Sequence, residues 1–180
     1  DNVAPISVII PVYNHADELM ACLLSVQAQT IQPTEVIVID DGSTDGLPER
    51  MRAFSSDLSI RYIRYDRNQG ASAARNKGFH QSTQPFVLFL DADILLLPTA
   101  FQKWMEALVR HPEADYVYSS HYFGWKLFFA PAFDPVLLRQ KNYIHTSSLM
   151  RRDAFPGFDE SLKKFQDWDL WLTMLEQGHI

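Results

Sequence analysis

The five residues Phe86–Leu90 (FVLFL) are apolar without a break and run directly into Asp91-Ala92-Asp93. A strand with one face in water alternates apolar and polar residues. An unbroken run this short fits a strand covered on both faces, as in a parallel sheet between two layers of helix. Ile6–Val12 (ISVIIPV) is β-branched and bounded by prolines and Asn14, and Glu35–Ile39 (EVIVI) has the same character. Ile60–Tyr65, Tyr116–Ser119 and Ser147–Arg151 read as further strands. Stretches of helical period separate them. In residues 17–29 the apolar Leu19, Cys22, Leu23 and Val26 fall on one stripe, with Asp17 and Glu18 where a helix N-terminus favours negative charge. Pro48–Phe54, Ala71–His80, Thr99–Arg110, Val136–Gln140 and Gln166–Gln177 are the other expected helices. Ala71, Ala74 and Gly78 lie on one side of theirs, where small residues allow close approach to a sheet. This β-α-β-α order predicts an α/β fold: a Rossmann-like, doubly wound, mostly parallel sheet with helices on both faces.

At 180 residues the chain is expected to form a single domain over 1–180, large enough for one sizeable core. Its 22 acidic and 16 basic residues give a net charge of −6, which argues against nucleic acid as a partner because tracking phosphates needs clustered Lys and Arg. Cys22 stands alone, so neither an internal disulfide nor a Cys zinc site is available. The longest apolar tract, Phe86–Leu97, is interrupted by Asp91 and Asp93, so no transmembrane segment is expected. The start, Asp1-Asn2-Val3-Ala4-Pro5, does not read as a signal peptide, and a cytoplasmic location is expected.

In open α/β sheets, ligands bind outside the carboxyl ends of the strands. Three polar clusters fall there: Tyr13-Asn14 after the first strand, Asp40-Asp41-Gly42-Ser43-Thr44-Asp45 after the second, and Asp91-Ala92-Asp93 after the fourth. Each also suits an ordinary turn. Asp91 and Asp93 make the sharper signal. Two carboxylates at ~5 Å and an effective dielectric near 20 repel by about 3 kcal/mol. A divalent cation removes that repulsion, and hard oxygen ligands select Mg²⁺ or Mn²⁺, which keep open positions for phosphate oxygens. No G-x-G-x-x-G follows the first strand, which disfavours a dinucleotide-dependent dehydrogenase, and the Gly- and Arg-rich loop of a sugar nucleotidyltransferase is missing as well.

SVIIPVYN (Ser7–Asn14), EVIVIDDGSTDG (Glu35–Gly46), NQGASAARNKG (Asn68–Gly78), FLDADILLLP (Phe89–Pro98), RRDAFPGFDE (Arg151–Glu160) and FQDWDLWL (Phe165–Leu172) occur in that order through nearly the whole chain. Together they resemble the family-2 glycosyltransferases, which have the GT-A nucleotide-sugar-binding fold. The resemblance implies inverting transfer of a sugar from a nucleoside-diphosphate sugar, UDP-linked by expectation, to an acceptor hydroxyl. It implies Mn²⁺ or Mg²⁺ as cofactor, a saccharide or lipid-linked acceptor, work in cell-surface polysaccharide or glycoconjugate synthesis, and a place at the inner face of the membrane. By the same resemblance, Pro11 and Tyr13 border the base, Asp40 accepts a hydrogen bond from it, Asp91 lies near the ribose and metal, and Asp93 coordinates the metal. Arg75 sits near the nucleotide or holds the acidic rim in place; a purely structural ion pair is the alternative. Members commonly continue with elements that close the acceptor side, so residues 1–180 are expected to be a catalytic domain lacking them.

The resemblance makes Asp167 the general base. Residues two apart on a helix point ~200° apart, so Asp167 and Asp169 cannot face one pocket. If Trp168, Trp171, Leu172 and Leu175 form the buried arc, Asp167 lies at its margin and Asp169 opposite. Both acids also suit a helix N-terminus for its dipole alone. Gln166 stands where the family usually has Glu. The aromatic-rich segment 116–133 either stacks on acceptor sugars or packs as a hairpin. Lys126 is a single charge and makes no basic membrane patch, His145 is an acceptor-side or structural residue, His15 is expected to be exposed and Cys22 to be core. A nucleotide-sugar-binding or scaffolding domain without efficient turnover is the competing reading.

Overall fold

The computed structural model describes residues 2–180. Eight strands and six α-helices follow one another, in strict alternation as far as β5: β1 (Val3–Val12), α1 (Ala16–Gln27), β2 (Gln32–Asp40), α2 (Leu47–Ala53), β3 (Ile60–Arg64), α3 (Ala71–Gln81), β4 (Phe86–Phe89), α4 (Ala100–Arg110), β5 (Tyr116–Val117), β6 (His121–Phe123), β7 (Lys126–Phe128), α5 (Pro135–Gln140), β8 (Leu149–Arg151) and α6 (Gln166–Glu176). Six strands form one sheet in the order β3-β2-β1-β4-β8-β5. β3, β2, β1 and β4 pair in parallel, and β8 runs antiparallel to both β4 and β5. The expected mostly parallel α/β sheet is what forms.

Strand parity divides the core. Ile6, Val8, Ile10 and Val12 of β1 pack with Leu19, Cys22, Leu23 and Val26 of α1 and with Phe101, Trp104 and Leu108 of α4. On the opposite face Ile9, Val87 and Phe89 pack with Leu170, Trp171 and Met174 of α6, and Ile37 and Ile39 pack with Ala74 of α3. Both faces are thus covered, which is why the central runs are apolar throughout. β1 begins three residues earlier than the apolar run suggests, because residues from Val3 pair with β2 alone and Pro5 falls at a register shift.

α3 comes close to the sheet because Gly78 has no side chain. A Cβ there would stand 2.3 Å from Ile9 Cγ2 and 3.2 Å from Ile39 Cγ1. Gly42 is constrained differently: its φ is +86°, and a Cβ would lie 3.0 Å from the Arg67 backbone.

Asp40 closes the β2 end of the sheet. It is fully buried. Its Oδ1 accepts from the Ser43 N–H at 2.8 Å, and its Oδ2 accepts from Arg64 Nη1 at 2.6 Å and from the Tyr62 hydroxyl. Burial by itself pushes the Asp40 carboxyl up, but Tyr62, Ser43 and Arg64 together hold it below its ordinary value. Burial and the bond to Asp40 push the Tyr62 hydroxyl up to about 12, so it remains a donor.

Two outcomes follow from this packing. Gly78→Ala gains ~1 kcal/mol of helix propensity and, with its Cβ 2.3 Å from the branched Ile9 side chain, loses about 2–3 kcal/mol to overpacking, so urea unfolding should show a net loss of about 1–2 kcal/mol. Asp40 stabilises the fold above its unfolded-state pKa near ~4, and that contribution is lost as pH falls through the lowered folded value. Asp40→Asn should therefore reduce stability at pH 7 by about 1–3 kcal/mol and flatten the loss of stability below pH ~4; denaturant titrations across pH 2–7 measure both.

Candidate functional site

The strand order turns back between β1 and β4, the switch point at which an open α/β sheet leaves a crevice. The two strands pair from Ile6↔Phe86 to Ile9↔Phe89, and the Ile9 carbonyl still accepts from Leu90 N–H at 2.9 Å. Two residues later Pro11 presents the same edge, without an N–H, where β4 has already ended. A cleft of about 400 Å³ opens there. Its lining includes Pro11, Tyr13, Asp41, Asn68, Arg75, Asp91 and Asp93. Tyr13 is half-exposed, His15 is exposed as expected, and both border the cleft.

The loops behind the cleft are stitched to one another. Asn14, at φ 56°, accepts from Thr44 N–H at 2.7 Å and donates its own N–H to Ser43 Oγ at 3.0 Å. Asp45 Oδ2 accepts from Ala16 N–H at 2.8 Å and so caps α1 from another loop. Asp41 Oδ2 accepts from the Gln69 and Gly70 N–H groups at 2.9 and 2.7 Å, fixing the start of α3.

The two neighbouring acids after β2 therefore differ. Asp40, expected beside the base, does not line the cleft, and its carboxylate is engaged by Ser43, Tyr62 and Arg64. Asp41 does line it, and its Oδ1 is buried with no hydrogen-bond partner among the described residues. The reason is register: Asp40 is still paired with Arg64 in the sheet, and Asp41 is the first residue past it. On the other wall Asp91 Oδ1 accepts from Arg75 Nη2 at 2.6 Å. Arg75 is buried, stacks with its guanidinium 5.2 Å from the Phe158 ring centroid, and reaches Gln166 Oε1 through Nη1 at 3.2 Å. Both roles expected of Arg75, lining the cleft and holding an acidic rim residue, are compatible with this position. Below the rim, Cys22 is buried and its Sγ lies 3.8 Å from the Asp91 carbonyl oxygen. Burial, then Asp91 and Asp93, push this thiol up to about 12, so it is core and unreactive.

No cluster of three or more His, Cys, Asp or Glu side chains capable of holding a metal occurs among the described residues. Asp91 and Asp93 still fit a magnesium- or manganese-like ion, because such ions need only one or two carboxylates when phosphate oxygens complete the shell.

Gln166 links this cleft to α6. The chain enters the helix through Phe165 at φ 59°, a left-handed conformation that costs a bulky residue about 1–3 kcal/mol. Asp167, which follows Gln166, does not line the cleft; its Oδ2 accepts from Asn142 Nδ2 at 2.9 Å. The helix buries Leu170, Trp171 and Met174, with Trp168, Leu172 and Leu175 only partly covered, so the buried arc is shifted from the expected one. Asp167 and Asp169 do face apart. Asp169 lines a separate groove with Asn76, Phe158, Asp159 and Thr173, where burial, Asp159 and Glu176 raise its carboxyl.

The aromatic segment divides. Tyr116, Tyr118 and Phe133 pack together beside Trp171 and Tyr143. β6 and β7 form a two-stranded hairpin that is not packed away: Tyr122, Phe123, Trp125 and Phe129 are exposed. The expected packed hairpin is thus half right, and its turn was readable from Gly124, which takes positive φ at the first turn position. His121 stacks on Phe128 and lies 4.8 Å from the His145 ring, while His145 Nδ1 accepts from Ser147 N–H at 3.0 Å. Burial pushes the His121 imidazole down, and His145 adds to the effect. No helix among the described residues is long and apolar enough to cross a membrane.

The chain is 30% identical over 196 residues to an uncharacterized glycosyltransferase of Rickettsia conorii, covering 99% of this chain and 31% of that protein. It is 41% identical over 104 residues to glycosyltransferase AglE of Haloferax volcanii, covering 56% of this chain and 33% of that one. The chain thus spans about a third of these curated relatives. Among solved structures, S. aureus TarS 1-349 superposes with a TM-score of 0.77 at 21% identity, over 94% of this chain and 54% of TarS 1-349. A mannosyltransferase from Pyrobaculum calidifontis, solved with GDP-Man and Mn²⁺, superposes with a TM-score of 0.76 at 20% identity, over 97% of this chain and 53% of its own. These structures share the fold, which is GT-A. The sequence pattern described as Glycosyl transferase family 2 matches residues 7–161, from β1 to just before α6. That match takes in well over half of the chain, and the chain belongs to glycosyl transferase family 2.

Proposed function

We propose that this chain transfers a sugar, with inversion, from a UDP-sugar to an acceptor hydroxyl, and that its cleft takes Mn²⁺ or Mg²⁺ with the donor. The observation that carries the reading is the composition of the switch-point cleft: an unpartnered Asp41 oxygen on one wall, and Asp93 with the Arg75–Asp91 pair on the other. TarS has been solved with UDP and with UDP-GlcNAc, and the mannosyltransferase with GDP-Man and Mn²⁺, which supports a nucleotide sugar as the ligand class.

Each residue has a chemical task in this reading. Tyr13 offers its ring and Pro11 an apolar edge to the base. Asp41, in place of Asp40, accepts the imide N–H of uracil, since a carboxylate is an acceptor on both oxygens. Asp91 and Asp93 hold the cation, which when bound neutralises charge on the leaving diphosphate. Arg75 keeps Asp91 in place and supplies the only guanidinium in the cleft lining. Asp167 takes the proton of the acceptor hydroxyl as its oxygen attacks the anomeric carbon from the side opposite the diphosphate. The new C–O bond forms, the bond to the diphosphate breaks, and the configuration inverts. The acceptor is a saccharide or lipid-linked sugar, approaching from the α6 and hairpin side, in cell-surface polysaccharide or glycoconjugate synthesis at the inner face of the membrane. Asp167 lies beyond the residues that match the family pattern, so its role rests on its helical position and its partner.

Calorimetry should show Mn²⁺-dependent binding of UDP, tighter than of GDP. Asp41→Asn should weaken it about 10- to 100-fold, the range expected for a hydrogen bond to a charged group, whereas Asp40→Asn should leave it within about twofold. Asp167→Asn should lower turnover by ~10²–10⁴-fold with UDP affinity unchanged. Undiminished turnover in that variant would remove Asp167 from the mechanism. Wild-type binding with no release of UDP from any of a panel of UDP-sugars would favour a binding domain instead.

A further inference from the structure

We infer that Asn142 is the positioning residue for Asp167; the inference rests on the reading of Asp167 as the base. Asn142 lies two residues beyond α5 and donates through Nδ2 to Asp167 Oδ2 at 2.9 Å. The other end of the same amide is left without a partner: Asn142 Oδ1 is buried and accepts no hydrogen bond among the described residues. Buried polar atoms are nearly always paired, so an orphan of this kind calls for a reason. Rotating the amide would not help. It would turn the carbonyl oxygen toward the Asp167 carboxylate and set two acceptors face to face. The carboxylate therefore dictates which way the amide points, and the fold tolerates an unpaired oxygen to keep an N–H on Asp167.

The surroundings hold that N–H still. Trp168 Nε1 donates to the Leu138 carbonyl at 2.7 Å, and Trp171 Nε1 donates to the Ile144 carbonyl at 3.0 Å. These bonds tie α6 to the chain on either side of Asn142. A residue bracketed in this way presents its side chain with little freedom, which is what preorganisation requires.

The chemistry suits a base. Asp91 is oriented by a guanidinium. Asp167 is oriented by a neutral amide instead and forms no ion pair among the described residues; Arg75 is directed at Asp91 and Gln166, and Asp169 faces the other side of α6. Lys163 and Lys164 lie in the segment leading to the helix. Asn142 occupies Oδ2, and Oδ1 is the oxygen that receives the acceptor proton.

The test uses UDP release with Mn²⁺ from the UDP-sugar that the wild-type protein turns over fastest in a panel, followed across pH, and crystal structures of the variants. Asn142→Ala should lower kcat about tenfold with the donor KM unchanged, and should move the acid limb of the kcat–pH profile upward. The near-isosteric Asn142→Asp should move it further, because two adjacent carboxylates share a proton. In the Asn142→Ala structure the Asp167 carboxylate should adopt a different rotamer. A purely structural asparagine would change thermal stability and leave the pH profile and the Asp167 rotamer as they are, and that result overturns the inference. Asp167→Asn separates the two levels. If it is inactive while both Asn142 variants match wild type, only the positioning role falls; if it turns over normally, the base assignment falls and takes this inference with it.

Discussion

The Arg75–Asp91 ion pair is the contact on which the arrangement of the cleft depends. It joins α3 to the end of β4, and the same guanidinium reaches Gln166 at the start of α6. Three elements far apart in sequence are thereby set relative to one another at a single buried group. Burying a guanidinium is expensive, and paired charges in a protein interior seldom add net stability over apolar residues of the same size. What the pair contributes is orientation. Phe158, packed against the guanidinium face, and the Asn76 amide, which exchanges two 2.9 Å hydrogen bonds with the Phe158 backbone, keep Arg75 from swinging away.

The neighbouring acids Asp40 and Asp41 show how one residue of register divides structure from chemistry. Asp40 is the last paired residue of β2, and its carboxylate is satisfied by the strand beside it and the loop above it. Asp41 follows the strand and enters the cleft, with one oxygen pinning the start of α3 and the other unpaired. Two identical side chains separated by a single peptide thus meet opposite surroundings.

That division also marks where reading the amino-acid sequence succeeds. Apolar periodicity is enough for the order and type of the elements that build the six-stranded sheet and its helices, because Ile6–Val12, Val36–Ile39 and Val87–Leu90 are buried between two layers; it does not give β6 and β7. It placed Tyr13, Asp91 and Asp93 on one rim, and the family resemblance added Arg75. It could not say which acid of Asp40-Asp41 faces the cleft, since that depends on where pairing with β3 stops. Asn142 was invisible for another reason: it sits in irregular chain whose course is set by bonds to Trp168 and Trp171, and no local pattern encodes those. On α6 the expected arc was displaced because Leu170 and Met174 also meet the sheet, giving a wider contact than one stripe.

The hairpin tip has a practical corollary. Trp104 and Trp171 are buried and Trp168 is partly covered, while Trp125 is fully solvated. Indole emission shifts to longer wavelength in water, so the red edge of the intrinsic fluorescence reports chiefly on this one side chain. Iodide will quench that component first. Anything that comes to rest on the tip, whether sugar, lipid or polypeptide, will shift it to the blue, giving the hairpin a built-in optical probe that needs no label.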